Sequence, residues 1–129
     1  MKTNKISAVF LFLSLVLIVL SFMSINIYNG IKETVILRDN EIVNELKIVI
    51  GEIKDDATVE SASKLKVYSQ KIMNMSAYFY KDSSKLSDYS IKLSYVSSDI
   101  LKNIDNDEFL ASLLFEYENT LNIVSGIIK

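Results

Sequence analysis

ISAVFLFLSLVLIVLSFMSINIY, residues Ile6 to Tyr28, is the stretch on which the architecture of this chain turns. Fifteen of these 23 residues are Leu, Ile, Val or Phe, and no charged side chain stands between Lys5 and Lys32. About 20 apolar helical residues cover the roughly 30 Å of a bilayer's hydrocarbon core, so the segment has the length and composition of one membrane span. Each large apolar residue contributes roughly −0.3 to −0.6 kcal/mol near the helix centre, which favours insertion by several kcal/mol before the serines and Asn26 are set against it.

The flanks give a direction. Lys2, Lys5 and the amino terminus stand on one side, against the balanced mixture Lys32, Glu33, Arg38 and Asp39 on the other. Positive charge is retained on the cytoplasmic side, which leaves the N-terminus inside and the rest of the chain extracytoplasmic, at a cell membrane crossed once. A cleaved signal peptide shares this charged start, but its apolar core is usually about 7 to 15 residues and ends in small residues. Only Ser24 and Asn26 make a tolerable cleavage pair, so the segment reads as a retained signal-anchor; the location of the domain is the same either way.

Beyond Gly30 the apolar residues recur every three or four positions, the period of a helix, and the pattern restarts at short polar breaks. Ile31, Val35, Ile42, Leu46, Val49 and Ile53 mark a first stripe, interrupted by Arg38 and continuous with the membrane helix, with Gly30 as a possible bend. Leu65, Tyr68, Ile72, Met75 and Phe79 mark a second, after the polar run Lys54 to Thr58 with its Asp or Thr cap. Leu86, Tyr89, Leu93, Val96 and Ile100 mark a third, after Asp82-Ser83-Ser84. The fourth begins at Asp105-Asn106-Asp107-Glu108, where Asp105 and Glu108 have capping-box spacing, and carries Leu110, Leu113, Leu114, Tyr117, Leu121, Val124 and Ile128.

The expectation is therefore an all-α chain: a cytoplasmic tip and transmembrane helix over 1–30, then a bundle over 31–129 with helices at about 31–54, 58–81, 83–103 and 106–128. Segments of similar length joined by short turns predict an antiparallel up-down-up-down four-helix bundle. In that topology the second turn lies near the bilayer, and the cluster Tyr78, Tyr80 and Lys81 beside it is a candidate for membrane-surface contact. The competing reading makes Phe79 core and the two tyrosines half-exposed. Ile127 and Ile128 pose the same choice, with packing of the last turn preferred.

Composition excludes several chemistries. The chain has no His and no Cys, so no Ser-His-Asp or Cys-His site, thiolate zinc site or di-iron Glu-x-x-His bundle can be assembled. Gly30, Gly51 and Gly126 are isolated and form no phosphate loop. From Gly30 onward, 12 basic residues face 16 acidic ones, which argues against nucleic acid as a partner. Carboxylates remain: Glu41 with Glu45, Asp55 with Asp56, and Asp105, Asp107 and Glu108. The first pair reads as a solvated face and the last group as helix capping rather than a calcium loop, which would need a following Gly and a twelfth-position Glu. Tyr68, Tyr89, Tyr95 and Tyr117 either line a ligand pocket or pack in the core with hydroxyls at the rim; the stripes favour packing.

The anchor, the helical stretch Leu65 to Leu101 and the junction Lys102-Asn103-Ile104-Asp105-Asn106-Asp107-Glu108 before a Leu-rich helix resemble a family of small uncharacterised membrane-anchored proteins of spore-forming, low-GC Gram-positive bacteria. That resemblance implies no catalytic residue and no cofactor. A bundle growing from a membrane helix is also similar to the four-helix sensor domains of chemoreceptors and histidine kinases. The sequence thus leads to a non-enzymatic protein held in the bilayer, acting as accessory or scaffold for a membrane or envelope protein or by self-association. The alternative is a minimal extracytoplasmic ligand sensor.

Overall fold

The computed structural model describes residues 2–74 and 77–128, with side chains placed over 7–74 and 78–128. Among them the chain is all-α: α1 (Lys2–Asp55), α2 (Val59–Met73), a 3-10 turn (Ala77–Phe79), α3 (Ser83–Lys102) and α4 (Asp107–Ile128). The chain divides into two compact units between Thr34 and Val35.

In the first unit, one helix is long and apolar enough to cross a membrane. Its large side chains are all exposed, Leu11 at 72% and Leu17 at 64% among them. Its hydroxyls are satisfied within the helix: Ser14, Ser21 and Ser24 donate to the carbonyls of Phe10, Leu17 and Leu20 at 2.8 to 2.9 Å. Such back-bonding satisfies the serine donor within the helix, without a partner from the surroundings. The helix continues unbroken through Gly30, whose carbonyl accepts from Thr34 Oγ1 at 2.9 Å.

In the second unit, the packing of the four helices is compatible with a bundle. α2 lies along α3, and α3 along α4. Ion pairs join α1 to α4 through Lys54 and Glu118 at 2.6 Å, and α3 to α4 through Lys92 and Glu116 at 2.9 Å. Leu65 and Ile72 of α2, Leu86, Leu93 and Ile100 of α3, and all seven apolar residues of the α4 stripe are buried in one core. Ile128 belongs to it, with Ile127 packed against it.

Three expectations need correction. The core face of α1 is Asp39, Val43, Leu46, Val49, Ile50 and Ile53; Ile31 is exposed, and Arg38 points outward at 56% while Asp39 is wholly buried. The helix expected over 58–81 ends at Met73, where the N–H of Asn74 bonds back to Gln70 O. Asn and Ser hold a helix weakly, and the chain beyond re-forms as a separate turn that carries Tyr80 to Asp39. Met75 of the expected stripe lies outside the described residues. At α4 the cap is Asn106 rather than Asp105: its Oδ1 accepts from the N–H of Phe109 at 3.3 Å, and Asp107 and Glu108 occupy the first turn.

Thr58 caps α2 reciprocally with Ser61: each side chain accepts from the other's backbone N–H, at 3.1 and 3.2 Å. Thr58→Ala is expected to cost about 1 kcal/mol, read as a lowered urea midpoint for the full chain in mild detergent.

Candidate functional site

Two buried polar pairs stand out. At one end of the second unit, Asp39 accepts from the Tyr80 hydroxyl at 2.6 Å through Oδ2 and from the Arg38 guanidinium at 3.1 Å through Oδ1. The Tyr80 ring is 8% exposed; burial, and then the hydrogen bond to the carboxylate, hold its hydroxyl protonated well above the ordinary tyrosine range. Tyr80 is therefore not offered to a membrane surface, whereas Tyr78, at 94%, and Lys81 are exposed. The pocket-or-packing choice for the tyrosines also resolves residue by residue. Tyr117 is fully buried, its hydroxyl 2.6 Å from Ser69 Oγ in mid-core rather than at a rim; Tyr68 and Tyr89 are half-buried; Tyr95 is exposed at 70%. Desolvation raises the Tyr117 hydroxyl well above its ordinary value, against a smaller opposing effect of the Ser69 hydrogen bond.

Asp39→Ala is expected to leave the Tyr80 hydroxyl without its acceptor and to destabilise the fold by about 1 to 3 kcal/mol, whereas Asp39→Asn keeps an acceptor oxygen and loses less. Urea denaturation of the two variants side by side checks the order.

No described buried side-chain nitrogen or oxygen lacks a partner. Two depressions on the second unit are open to solvent: one lies between the end of α1 and the start of α4, lined by Asp55, Asp107, Phe115 and Glu118, and another is shared by Arg38, Ile42, Lys71 and Asn74. Among the described residues no group of three acidic side chains converges as a metal ion would require. Glu41, Glu45, Asp55, Asp56, Asp105, Asp107 and Glu108 are all exposed.

The outer face of α4 differs from those of the other helices. Beyond Glu108, which is exposed on the same face in the first turn, Ala111, Ser112, Phe115, Asn119, Asn122, Ile123 and Gly126 are all exposed along it, and none of these seven is charged. The flanking Glu116 and Glu118 are already paired to Lys92 and Lys54. The sequence marked α4 for its buried stripe; the opposite face escaped notice because it reads as ordinary small and amide residues, and only the ion pairs show its flanks to be neutralised.

No family model, curated protein or solved structure matches the chain.

Proposed function

We propose that this chain is a non-catalytic, single-pass membrane protein whose Ile6 to Tyr28 segment anchors an extracytoplasmic up-down-up-down bundle, and that the bundle serves as an accessory or scaffold for another membrane or envelope protein. The observation that carries this reading is the exposed outer face of α4 from Ala111 to Gly126, uncharged past Glu108 in the first turn, with Phe115 at 67% and Ile123 at 43%. A surface from which charge is absent and whose flanking carboxylates are neutralised costs little to desolvate against a partner. The anchor reading rests on the apolar helix, its internally bonded serines and the basic start of the chain. A ligand sensor would need an enclosed polar cavity between helices, and the depressions described above are open.

The test is affinity capture of the tagged full chain from its native membranes in mild detergent, beside Phe115→Asp and Gly126→Ala. Repeated recovery of one membrane protein, lost with Phe115→Asp, supports the accessory role; recovery unaffected by either substitution rejects this face as the contact.

Gly126 gives a prediction of opposite signs. A Cβ built there meets nothing within 4 Å, so Gly126→Ala is expected to stabilise the free chain by up to about 1 kcal/mol through helix propensity. The same methyl group holds a partner's backbone off and lowers capture. A thermal melt of the free chain and the capture yield check the two halves.

A further inference from the structure

Between the end of α1 with the loop after it and the start of α4 runs an open groove of about 560 Å³. Its floor is apolar. Ile53, Leu110 and Leu114, core residues exposed at only 2, 5 and 6%, line it, and the α4 side adds Ala111 and the Phe115 ring, exposed at 67%. Its rim is acidic. Asp55, Asp56 and Asp107 are exposed there and in no ion pair among the described residues, whereas the one lysine of the lining, Lys54, is bound to Glu118 at 2.6 Å. The surroundings keep that sign. In the helix turns and loops nearest this end, Glu52, Glu60, Asp99, Asp105 and Glu108 stand against Lys64, Lys66 and Lys102, and of these lysines Lys64 and Lys102 lie 3.5 and 3.2 Å from carboxylates. Lys47, the next basic residue back along α1, shares a neighbouring depression with Glu118 and does not reverse the balance. The helix dipoles oppose one another here, α1 ending where α4 begins, so the side chains set the field.

Resting on the accessory-protein reading above, we propose that this groove takes a basic segment of the partner protein, in which a lysine or arginine adjoins a large apolar side chain. Charge complementarity selects the cation: it sits among Asp55, Asp56 and Asp107, with the exposed Phe115 ring offering its face beside them. The floor selects the neighbour, since Ile53, Leu110 and Leu114 give an apolar side chain a surface to cover. The openness of the groove selects a protein chain over a small cation, because ligand sites enclose most of what they bind and this one is open along its length. Through Ala111 and Phe115 the groove is continuous with the outer face of α4, so a chain seated in it runs on along that face. Anionic partners are repelled by the same carboxylates.

The full tagged chain in mild detergent is incubated with a pool of octapeptides degenerate in Lys, Arg, Glu, Ser, Leu and Trp, and the bound fraction is read by mass spectrometry. Peptides with Lys or Arg beside Leu or Trp are expected to be enriched over those with Glu in the basic place or Ser in the apolar one. The chain with Asp55→Asn, Asp56→Asn and Asp107→Asn together, which keeps Phe115 and the Lys54 to Glu118 pair, is expected to retain about tenfold less of them, each exposed pair contributing a small factor. In about 1 M salt, where the screening length is about 3 Å, the parent chain is expected to lose the same preference, an arm that needs no variant. Absence of enrichment, or enrichment equal in the triple variant or at high salt, overturns the docking. A membrane partner still captured from native membranes and lost with Phe115→Asp then leaves the accessory reading standing; if no partner is captured either, both readings fall.

Discussion

Replacing Leu15 and Val19 together by lysine is expected to remove the chain from the membrane. Both side chains lie near the middle of the apolar segment, exposed at 62% and 50% with nothing of the protein against them, and one turn apart on one helix face. A lysine at the centre of a spanning helix costs about 2.5 to 3.5 kcal/mol, and each change also forfeits a favourable apolar residue, so the pair shifts insertion by about 6 to 8 kcal/mol. That approaches the whole favourable balance of the segment. The readout is flotation of membranes after alkaline extraction, with Leu37→Lys and Ile48→Lys as controls. Those two are exposed at 66% and 56%, and lysine there is expected to change neither flotation nor, by more than about 0.5 kcal/mol, the stability of the fold. A double variant that floats like the parent would show that the span from Ile6 to Tyr28 is not what holds the chain.

Tyr117 is where the bundle itself is most sensitive. It is fully buried among the apolar residues of the core and meets Ser69 of α2 through its hydroxyl. Tyr117→Ala removes a ring and leaves a cavity, an expected loss of about 3 to 5 kcal/mol, comparable to the entire stability of a small domain. Tyr117→Phe removes only the hydroxyl; Ser69 keeps its bond to the Leu65 carbonyl at 2.7 Å, so the loss is about 1 kcal/mol.

The pair also separates by pH. In the fold the hydroxyl stays protonated above its ordinary pKa of 10.0, because burial disfavours the phenolate, while in the unfolded chain it ionises near that value. The unfolded state therefore binds fewer protons above pH 10: the contribution to stability is full below it and is lost as pH rises, at about 1.4 kcal/mol per pH unit for this one group. Tyr80 acts in the same direction. Denaturation midpoints of the parent chain measured on either side of pH 10 are expected to fall steeply, and those of Tyr117→Phe to fall less; identical slopes would show that the Tyr117 hydroxyl ionises freely in the fold.

The Tyr117 hydroxyl also shows where reading the chain in one dimension stops. Its place on the α4 stripe was legible from the spacing Leu110, Leu113, Leu114, Tyr117 and Leu121, because burial on a helix follows a period close to 3.6. Its partner, 48 positions away on another helix, was not, because spacing along one helix carries no information about what lies across the core. The outer face of α4 became a candidate in the same way, once Lys54 and Lys92 were seen to neutralise the glutamates beside it.

What the amino-acid sequence determined by itself was periodic or local: one apolar stretch of membrane length, helices broken at polar turns, the apolar faces of α3 and α4, an Asp or Thr cap before α2, and the want of His and Cys. Tertiary structure alone decided what depends on groups meeting across space. Asp39 rather than Arg38 faces inward because Tyr80, 41 positions on, supplies the hydrogen bond without which a buried carboxylate is too costly. α2 ends at Met73, short of the helix its stripe suggests, and the chain after it carries that hydroxyl to the carboxylate.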